Sequence, residues 1–200
     1  MQYFVYGQKE IKHLKSRDEK LGAAIDKIGT IKRSINKDPF SALISHVISQ
    51  QISGKAARTV QNRLQELLGS VTPQSIAQAD LPEIQACGMS NRKALYIKGI
   101  ADAALAGSVD FHSLHTLADG EIIKKLSSLY GVGVWTAEMI LIFSLGRPDV
   151  VSYRDLAIRR GMMKLYELED ITRQDFEVYA KHYSPYGSTA SLYLWRLSVM

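Results

Sequence analysis

A carboxylate that follows a glycine-containing turn is the feature of this sequence best suited to chemistry. Asp155 directly precedes the apolar and basic run Leu156–Arg160, and it lies 22 residues after Gly133. An aspartate before such a run commonly caps a helix, where the first-turn N–H groups and the helix dipole favour a negative charge. A carboxylate held in this way can stabilise an oxocarbenium-like sugar or orient a water, as in glycoside hydrolysis. From position alone, both a simple N-cap and a catalytic carboxylate remain open.

The turn itself joins two predicted helices. The segment Leu126–Thr136 reads Leu-Ser-Ser-Leu-Tyr-Gly-Val-Gly-Val-Trp-Thr. Gly131 and Gly133 permit a positive φ and leave the backbone uncovered, so that N–H groups of the turn and of the next helix can bind an anion such as phosphate. Contacts of this kind do not read bases and therefore suit DNA of any sequence. The alternative is a purely structural connector between two helices.

Composition limits the classes of function. The 200 residues include 25 Lys and Arg against 20 Asp and Glu, and the formal net charge of +5 permits nucleic-acid binding without requiring it. The single cysteine, Cys87, excludes an intrachain disulfide, a thiolate zinc cage and a four-cysteine iron–sulfur cluster. The N-terminus has no signal-peptide pattern, and the longest apolar run, Met139–Phe143, is too short to cross a bilayer. We expect an intracellular protein that is not secreted, and in a bacterium a cytoplasmic one associated with the nucleoid.

Helical periodicity dominates the chain and predicts an all-α fold of about ten helices joined by short loops. One charged helical segment is expected from about Lys9 to Ile28, and only Gln2–Tyr6 resembles a strand. The residues expected to begin helices as N-caps are Asp38, Ser53, Thr72, Asp80, Ser90, Asp155, Thr172 and Ser184. Pro185 is expected at the first helical position after Ser184. The interpretation is a single unit of two interlocked helical subdomains: a central one at about 38–145 carrying the hairpin 126–136, and a second formed by 1–37 and 146–200, with a DNA-binding cleft between them.

The hairpin followed by the aspartate resembles the helix-hairpin-helix DNA glycosylase superfamily, and within it the 3-methyladenine DNA glycosylase II type. Further matching segments occur in the expected order over roughly residues 38–197. They are His46–Ala57 (His-Val-Ile-Ser-Gln-Gln-Ile-Ser-Gly-Lys-Ala-Ala), Ala86–Ala94 (Ala-Cys-Gly-Met-Ser-Asn-Arg-Lys-Ala), Asp155–Arg160 and Tyr193-Leu-Trp195. Several ordered matches are more specific than any one of them, and together they favour the catalytic interpretation of Asp155.

The resemblance implies a role for each matching position. Asp155 would be the catalytic carboxylate, and Gln51 would enter the gap left by a flipped nucleotide. The base pocket would be lined by Trp135, Trp195 and Tyr153, although core packing is the alternative for each tryptophan. The residues implied to contact DNA are Gln51, Lys55, Gly131, Val132 and Gly133, with Arg58, Arg92 and Lys93 as further candidates for backbone contacts. The backbone carbonyls of Ser127, Leu129 and Val132 would hold a monovalent metal ion, Na⁺ or K⁺.

The same resemblance implies an activity. We expect a monofunctional glycosylase of base excision repair that removes alkylated purines from double-stranded DNA as a monomer, requires no cofactor and contains no iron–sulfur cluster. Members with lyase activity have a lysine where this chain has Trp135, and that lysine would form a Schiff base. Alternatives are a glycosylase of the same superfamily for deaminated or oxidised bases, a non-catalytic DNA-binding module, and a structural helical protein that binds no DNA.

Overall fold

The computed structural model describes residues 2–200, and most of this part of the chain is helical. The predicted all-α class is confirmed. The twelve α-helices of the described residues are α1 (Gln8–Arg17), α2 (Glu19–Ile28), α3 (Pro39–Ser49), α4 (Gly54–Leu68), α5 (Pro73–Gln78), α6 (Leu81–Ala86), α7 (Asn91–Leu105), α8 (Asp119–Ser127), α9 (Val134–Phe143), α10 (Leu156–Tyr166), α11 (Arg173–Tyr183) and α12 (Gly187–Ser198). None of these helices combines the length and the apolar composition needed to cross a bilayer.

Strand structure is confined to two short segments near the N-terminal end of the described residues. β1 (Gln2–Tyr3) pairs antiparallel with β2 (Ser34–Ile35), so that Gln2 lies opposite Ile35. Of Gln2–Tyr6, the segment that resembles a strand in the sequence, only Gln2–Tyr3 forms one. A 3-10 helix over Leu114–Thr116 completes the regular elements.

Most of the predicted helix starts are confirmed by side-chain hydrogen bonds. Asp38 Oδ1 accepts the N–H of Phe40 at 3.1 Å, and Ser53 Oγ accepts that of Ala56 at 3.2 Å. The other caps with a bond to the first helical turn are Thr72, Ser90, Thr172 and Asp155. At the start of α6, the carboxylate of Glu83 instead accepts the N–H of Asp80 at 3.0 Å. Each cap satisfies a backbone group that the helix itself leaves unpaired.

Two predicted elements are wrong. The segment expected as one helix from Lys9 to Ile28 is broken at Asp18, whose backbone is extended and whose Oδ1 accepts the N–H of Leu21 at 2.8 Å as the N-cap of α2. Ser184 and Pro185 do not begin a helix: α12 starts at Gly187, and its N-cap is Tyr186. The partner of Gly187 N–H is Asp149, whose other carboxylate oxygen accepts a hydrogen bond from Ser184 Oγ at 2.5 Å.

The chain forms two compact units. The terminal unit comprises the chain up to Ile35 together with Leu141–Met200, and the central unit comprises Asn36–Ile140. The core of the terminal unit is built from α1, α2, α10, α11 and α12, and its fully buried side chains include Leu14, Leu21, Phe176 and Tyr193. In the central unit α7 packs against α3, α5 and α6, and its buried face carries Ala94, Ile97 and Ile100.

Candidate active site and DNA-binding elements

Asp155 lies at the N-terminus of α10 in the terminal unit and is 7% exposed. Its Oδ1 accepts the N–H groups of Ala157 at 2.9 Å and Ile158 at 3.0 Å, and its own N–H donates to the carbonyl of Ser152 at 3.2 Å. The carboxylate is thus held by the backbone of the first helical turn, with a fixed orientation. A nearly buried carboxylate in a fixed position is suited to stabilise positive charge that develops beside it.

Aromatic and basic side chains lie near Asp155 in the sequence and on neighbouring elements of the same unit. The ring of Tyr153 contacts Phe176 edge-on at 5.2 Å, and the guanidinium of Arg159 lies 5.1 Å from the centre of the Tyr153 ring. Tyr153 is therefore fixed from two sides by an aromatic contact and a cation–π contact. Arg159, one of two arginines after the carboxylate, has a defined partner and is not a freely solvated charge.

Trp195 is partly buried on α12, and its ring lies 5.3 Å from that of Phe143. The guanidinium of Arg33 lies 4.9 Å from the centre of the same Phe143 ring. The helix α12 that carries Trp195 packs tightly on α10: a Cβ added to Gly161 would lie 2.0 Å from the carbonyl oxygen of Leu194. The two helices that carry Asp155 and Trp195 are thus locked together at a glycine where no larger residue fits.

The predicted hairpin lies in the central unit. It joins the end of α8 to the start of α9, and Gly131 adopts a φ of 85° that favours glycine. Val132 N–H donates to the carbonyl of Leu129 at 3.1 Å within the turn, and Ala137 N–H donates to the carbonyl of Gly133 at 3.1 Å in the first turn of α9. The side chain of Val132 is buried, whereas Gly133 is exposed. The second half of this turn therefore presents backbone groups, and not side chains, to a ligand.

The tight packing of Tyr96 explains why a glycine stands at position 131. A Cβ added there would lie 2.2 Å from Cδ2 of the Tyr96 ring. Arg92, one helical turn earlier on α7, donates from Nε to the Tyr96 hydroxyl and places its guanidinium 5.5 Å from the ring centre. The exposed ring of Tyr130 meets Tyr96 edge-on at 5.2 Å. Sequence reasoning missed Tyr96 and Tyr130; the Arg92–Tyr96 spacing of four residues on a helix was the available signal.

The loop between α3 and α4 carries the predicted wedge, Gln51. This residue is exposed and has a φ of 58°, a left-handed conformation that residues other than glycine seldom adopt. Lys55 and Arg58 lie exposed on the first half of α4, where a phosphate could reach them.

Lys93 has a different role from the predicted DNA-backbone contact. Its Nζ donates to the carbonyl of Ile48 at 2.7 Å and to that of Gln50, and burial lowers its pKa from the ordinary value. The ammonium group therefore caps the C-terminal end of α3. Sequence reasoning placed this lysine with the DNA contacts because its two acceptors lie more than forty residues away along the chain.

Two other predicted features can be placed within the central unit. Trp135, in the first turn of α9, is 37% exposed, and the ring of His46 meets it edge-on at 6.3 Å. Cys87 is 6% exposed, and burial raises the pKa of its thiol against a smaller opposing effect of Arg63. A buried, protonated thiol fits the structural role predicted for this cysteine.

Comparisons with known proteins agree with this arrangement. Residues 44–185 match the HhH-GPD superfamily of base excision DNA repair proteins. The chain is 34% identical to DNA-3-methyladenine glycosylase 1 of Schizosaccharomyces pombe over 194 residues, which cover 93% of this chain and 85% of that protein. A crystal structure of a DNA-3-methyladenine glycosidase from Bacillus halodurans is similar with a TM-score of 0.87 and 32% identity, covering 99% of this chain and 93% of the other.

A further similar structure contains DNA. The 3-methyladenine DNA glycosylase of S. pombe in complex with abasic DNA has a TM-score of 0.84 and 33% identity, covering 96% of this chain and 98% of that one. The superfamily match spans both the hairpin and Asp155. This chain therefore belongs to the HhH-GPD superfamily of base excision DNA repair proteins.

Proposed function

We propose that this protein is a monofunctional DNA glycosylase that hydrolyses the N-glycosidic bond of alkylated purines in double-stranded DNA. The observation that carries the proposal is the geometry of Asp155: a carboxylate 7% exposed, fixed by two backbone N–H groups on the same oxygen. The names of the similar proteins, several of them 3-methyladenine glycosylases, support alkylated bases as the substrate class.

The proposed reaction uses the charge already present on an alkylated base. An adenine methylated at N3 or a guanine methylated at N7 is cationic, so the C1′–N bond can break with its electron pair leaving on the base, which departs neutral. The sugar then carries oxocarbenium character, which the carboxylate of Asp155 stabilises. A water adds to C1′ and loses one proton, and the product is an abasic site. No general acid is needed to protonate such a leaving group.

The base must leave the helical stack before it can react, and flipping it costs a few kcal/mol in a paired duplex. The hairpin backbone around Gly131 and Gly133 is proposed to hold a phosphate, together with Lys55. Because these contacts are to phosphate, the affinity should fall as salt rises. Trp135, Trp195 and Tyr153 remain the residues proposed to receive the base, since aromatic faces attract a cationic purine.

A monovalent cation is proposed at the hairpin carbonyls of Ser127, Leu129 and Val132. The donor set suits it: Ser127 ends α8, where carbonyl groups point away from the helix, and Leu129 already directs its carbonyl into the turn towards Val132 N–H. When bound there, Na⁺ or K⁺ would add positive charge beside the phosphate-binding backbone. The chain's own contribution is to hold these oxygens in the turn.

Trp135 supports the monofunctional assignment, because its indole has no amine with which to form a Schiff base. The product should therefore be an abasic site in an intact strand. Removal of deaminated or oxidised bases is the second candidate, and the reaction products distinguish it.

The experiment is a substrate panel. Duplexes with a single 3-methyladenine or 7-methylguanine, uracil, hypoxanthine or 8-oxoguanine are incubated with the protein, and strand cleavage is scored with and without alkali. We expect released methylpurine and cleavage only after alkali. Cleavage without alkali would contradict the monofunctional assignment. Release of uracil, hypoxanthine or 8-oxoguanine in preference to methylpurines would contradict the substrate class, and binding without any release would leave a DNA-binding module.

A further inference from the structure

The conformation of Gln51 requires an external support. A glutamine in the left-handed region is strained, and such conformations persist where the surrounding structure imposes them. Gln51 itself is exposed, so the support must come through its neighbours in the loop. The residue immediately before it, Gln50, has both its backbone and its side chain fixed by partners elsewhere in the central unit.

The backbone of this loop is held by Lys93. Its ammonium group donates to the carbonyl oxygens of Ile48 and of the C-cap residue Gln50, at the end of α3 where carbonyls have no partner within the helix. A cation there also opposes the negative end of the helix dipole. The loop borders a cavity of about 200 Å³, lined by Ile48, Gln50, Gln51 and Lys93 among others. The hydrogen bonds of Lys93 thus hold a loop that borders a cavity.

The side chain of Gln50 connects the loop to the hairpin. Its Nε2 donates to the carbonyl of Gly131 at 3.0 Å, across 81 residues of sequence. Gly131 is itself fixed by the ring of Tyr96. Lys93, Gln50 and Gly131 therefore form a continuous path of hydrogen bonds from α7 through the Gln51 loop to the phosphate-binding turn.

We infer that Lys93 and Gln50 are positioning residues that couple the hairpin to Gln51, so that a phosphate bound at the hairpin aligns Gln51 for insertion into the duplex. The inference rests on the proposed function. Neither residue touches the reacting atoms. Their contribution is required when a base is extruded from a paired duplex, and it is not required when the base is already unpaired.

The test compares one lesion in two contexts. Single-turnover release of 7-methylguanine is measured from a fully paired duplex and from the same sequence with the lesion in an unpaired bubble. Lys93→Met keeps the aliphatic stem and removes the donor, whereas Lys93→Arg restores a donor. Gln50→Leu removes only the bond to Gly131, and leaves the cap of α3 intact.

Lys98 supplies a matched control on the same helix. Its Nζ donates to the carbonyls of Ile76, Ala77 and Ala79 at the end of α5, at 3.2, 2.8 and 2.9 Å. Lys98→Met therefore removes an equivalent lysine cap, away from the Gln51 loop. Its effect on stability should resemble that of Lys93→Met, which separates a loss of positioning from a general loss of stability.

We expect Lys93→Met and Gln50→Leu to lower release from the paired duplex by about tenfold or more, while release from the bubble changes by less than about twofold. Lys93→Arg should recover most of the loss, and Lys98→Met should leave the ratio of the two rates unchanged. An equal loss on both substrates, or the same selective loss in Lys98→Met, would overturn the inference. If the wild-type protein releases no base from either substrate, the proposed function itself fails.

Discussion

The packing of Tyr96 against the hairpin allows the cost of one substitution to be worked out in advance. In Gly131→Ala the new methyl group would lie 2.2, 2.5 and 2.7 Å from three atoms of the Tyr96 ring. The ring is 8% exposed and its hydroxyl is bonded to Arg92, so it has little room to move away. Overpacking of this kind costs about 1–3 kcal/mol, and a left-handed alanine adds about 1–2 kcal/mol. We expect the free energy of unfolding to fall by about 2–5 kcal/mol.

The assay is denaturant unfolding with DNA binding measured in parallel. Gly120→Ala is the matched control, because Gly120 lies in α8 with open space around it and no positive φ; it should be neutral or stabilising. In a Tyr96→Ala background the steric part disappears, so that Gly131→Ala should cost only the backbone strain of about 1–2 kcal/mol. The reasoning is refuted if the cost is the same with and without the Tyr96 ring, or if it does not exceed that of Gly120→Ala.

Gly161→Ala should destabilise the protein by at least about 2 kcal/mol in thermal unfolding, because the clash is with the backbone of Leu194 and no side-chain rotation relieves it; an unchanged melting temperature would contradict this. Lys55→Ala should reduce the slope of log K for duplex DNA against log salt by about one, with Lys27→Ala as a control on the terminal unit, and equal slopes would remove Lys55 from the DNA contacts. Burial raises the pKa of Tyr183, so its neutral hydroxyl favours the folded state. The free energy of unfolding should be unaffected by this group below the unfolded-state pKa of about 10, and should fall above it by up to about 1.4 kcal/mol per pH unit. A free energy of unfolding that does not change up to about pH 11 would contradict this.

The local sequence was enough to predict the helix starts that a single side chain caps. Asp38, Ser90 and Thr172 begin helices because an oxygen on each accepts an N–H two or three residues ahead, which depends on few distant contacts. Asp155 belongs to the same class, and its cap was predicted from its position before an apolar run. Position alone left the N-cap and the catalytic interpretation open, and the resemblance to a family favoured the catalytic one.

The features that were missed depend on partners distant in sequence. The break at Asp18 was hidden because helical spacing of apolar residues continues through it, while one of the residues that holds Asp18 is Tyr166, 148 positions away. The sequence Ser184-Pro185 resembles a helix start, but in the structure the carboxylate of Asp149 accepts hydrogen bonds from Ser184 Oγ and from the N–H of Gly187. Lys93 was predicted to contact DNA because its carbonyl partners, at the end of α3, are distant in sequence. A charged residue can cap a helix, bond to a distant part of the chain or contact DNA, and only the folded structure shows which of these it does.

The central claim is that Asp155 is catalytic and not only a helix cap, and one substitution separates the two roles. Asparagine caps a helix about as well as aspartate, so Asp155→Asn should change the free energy of unfolding by little. It removes the negative charge that would stabilise the sugar cation. The measurement is single-turnover release of 7-methylguanine from duplex DNA by the wild type and by Asp155→Asn. The account predicts a loss of about a hundredfold or more in the variant with DNA binding retained; release at the wild-type rate by a folded Asp155→Asn protein would contradict it.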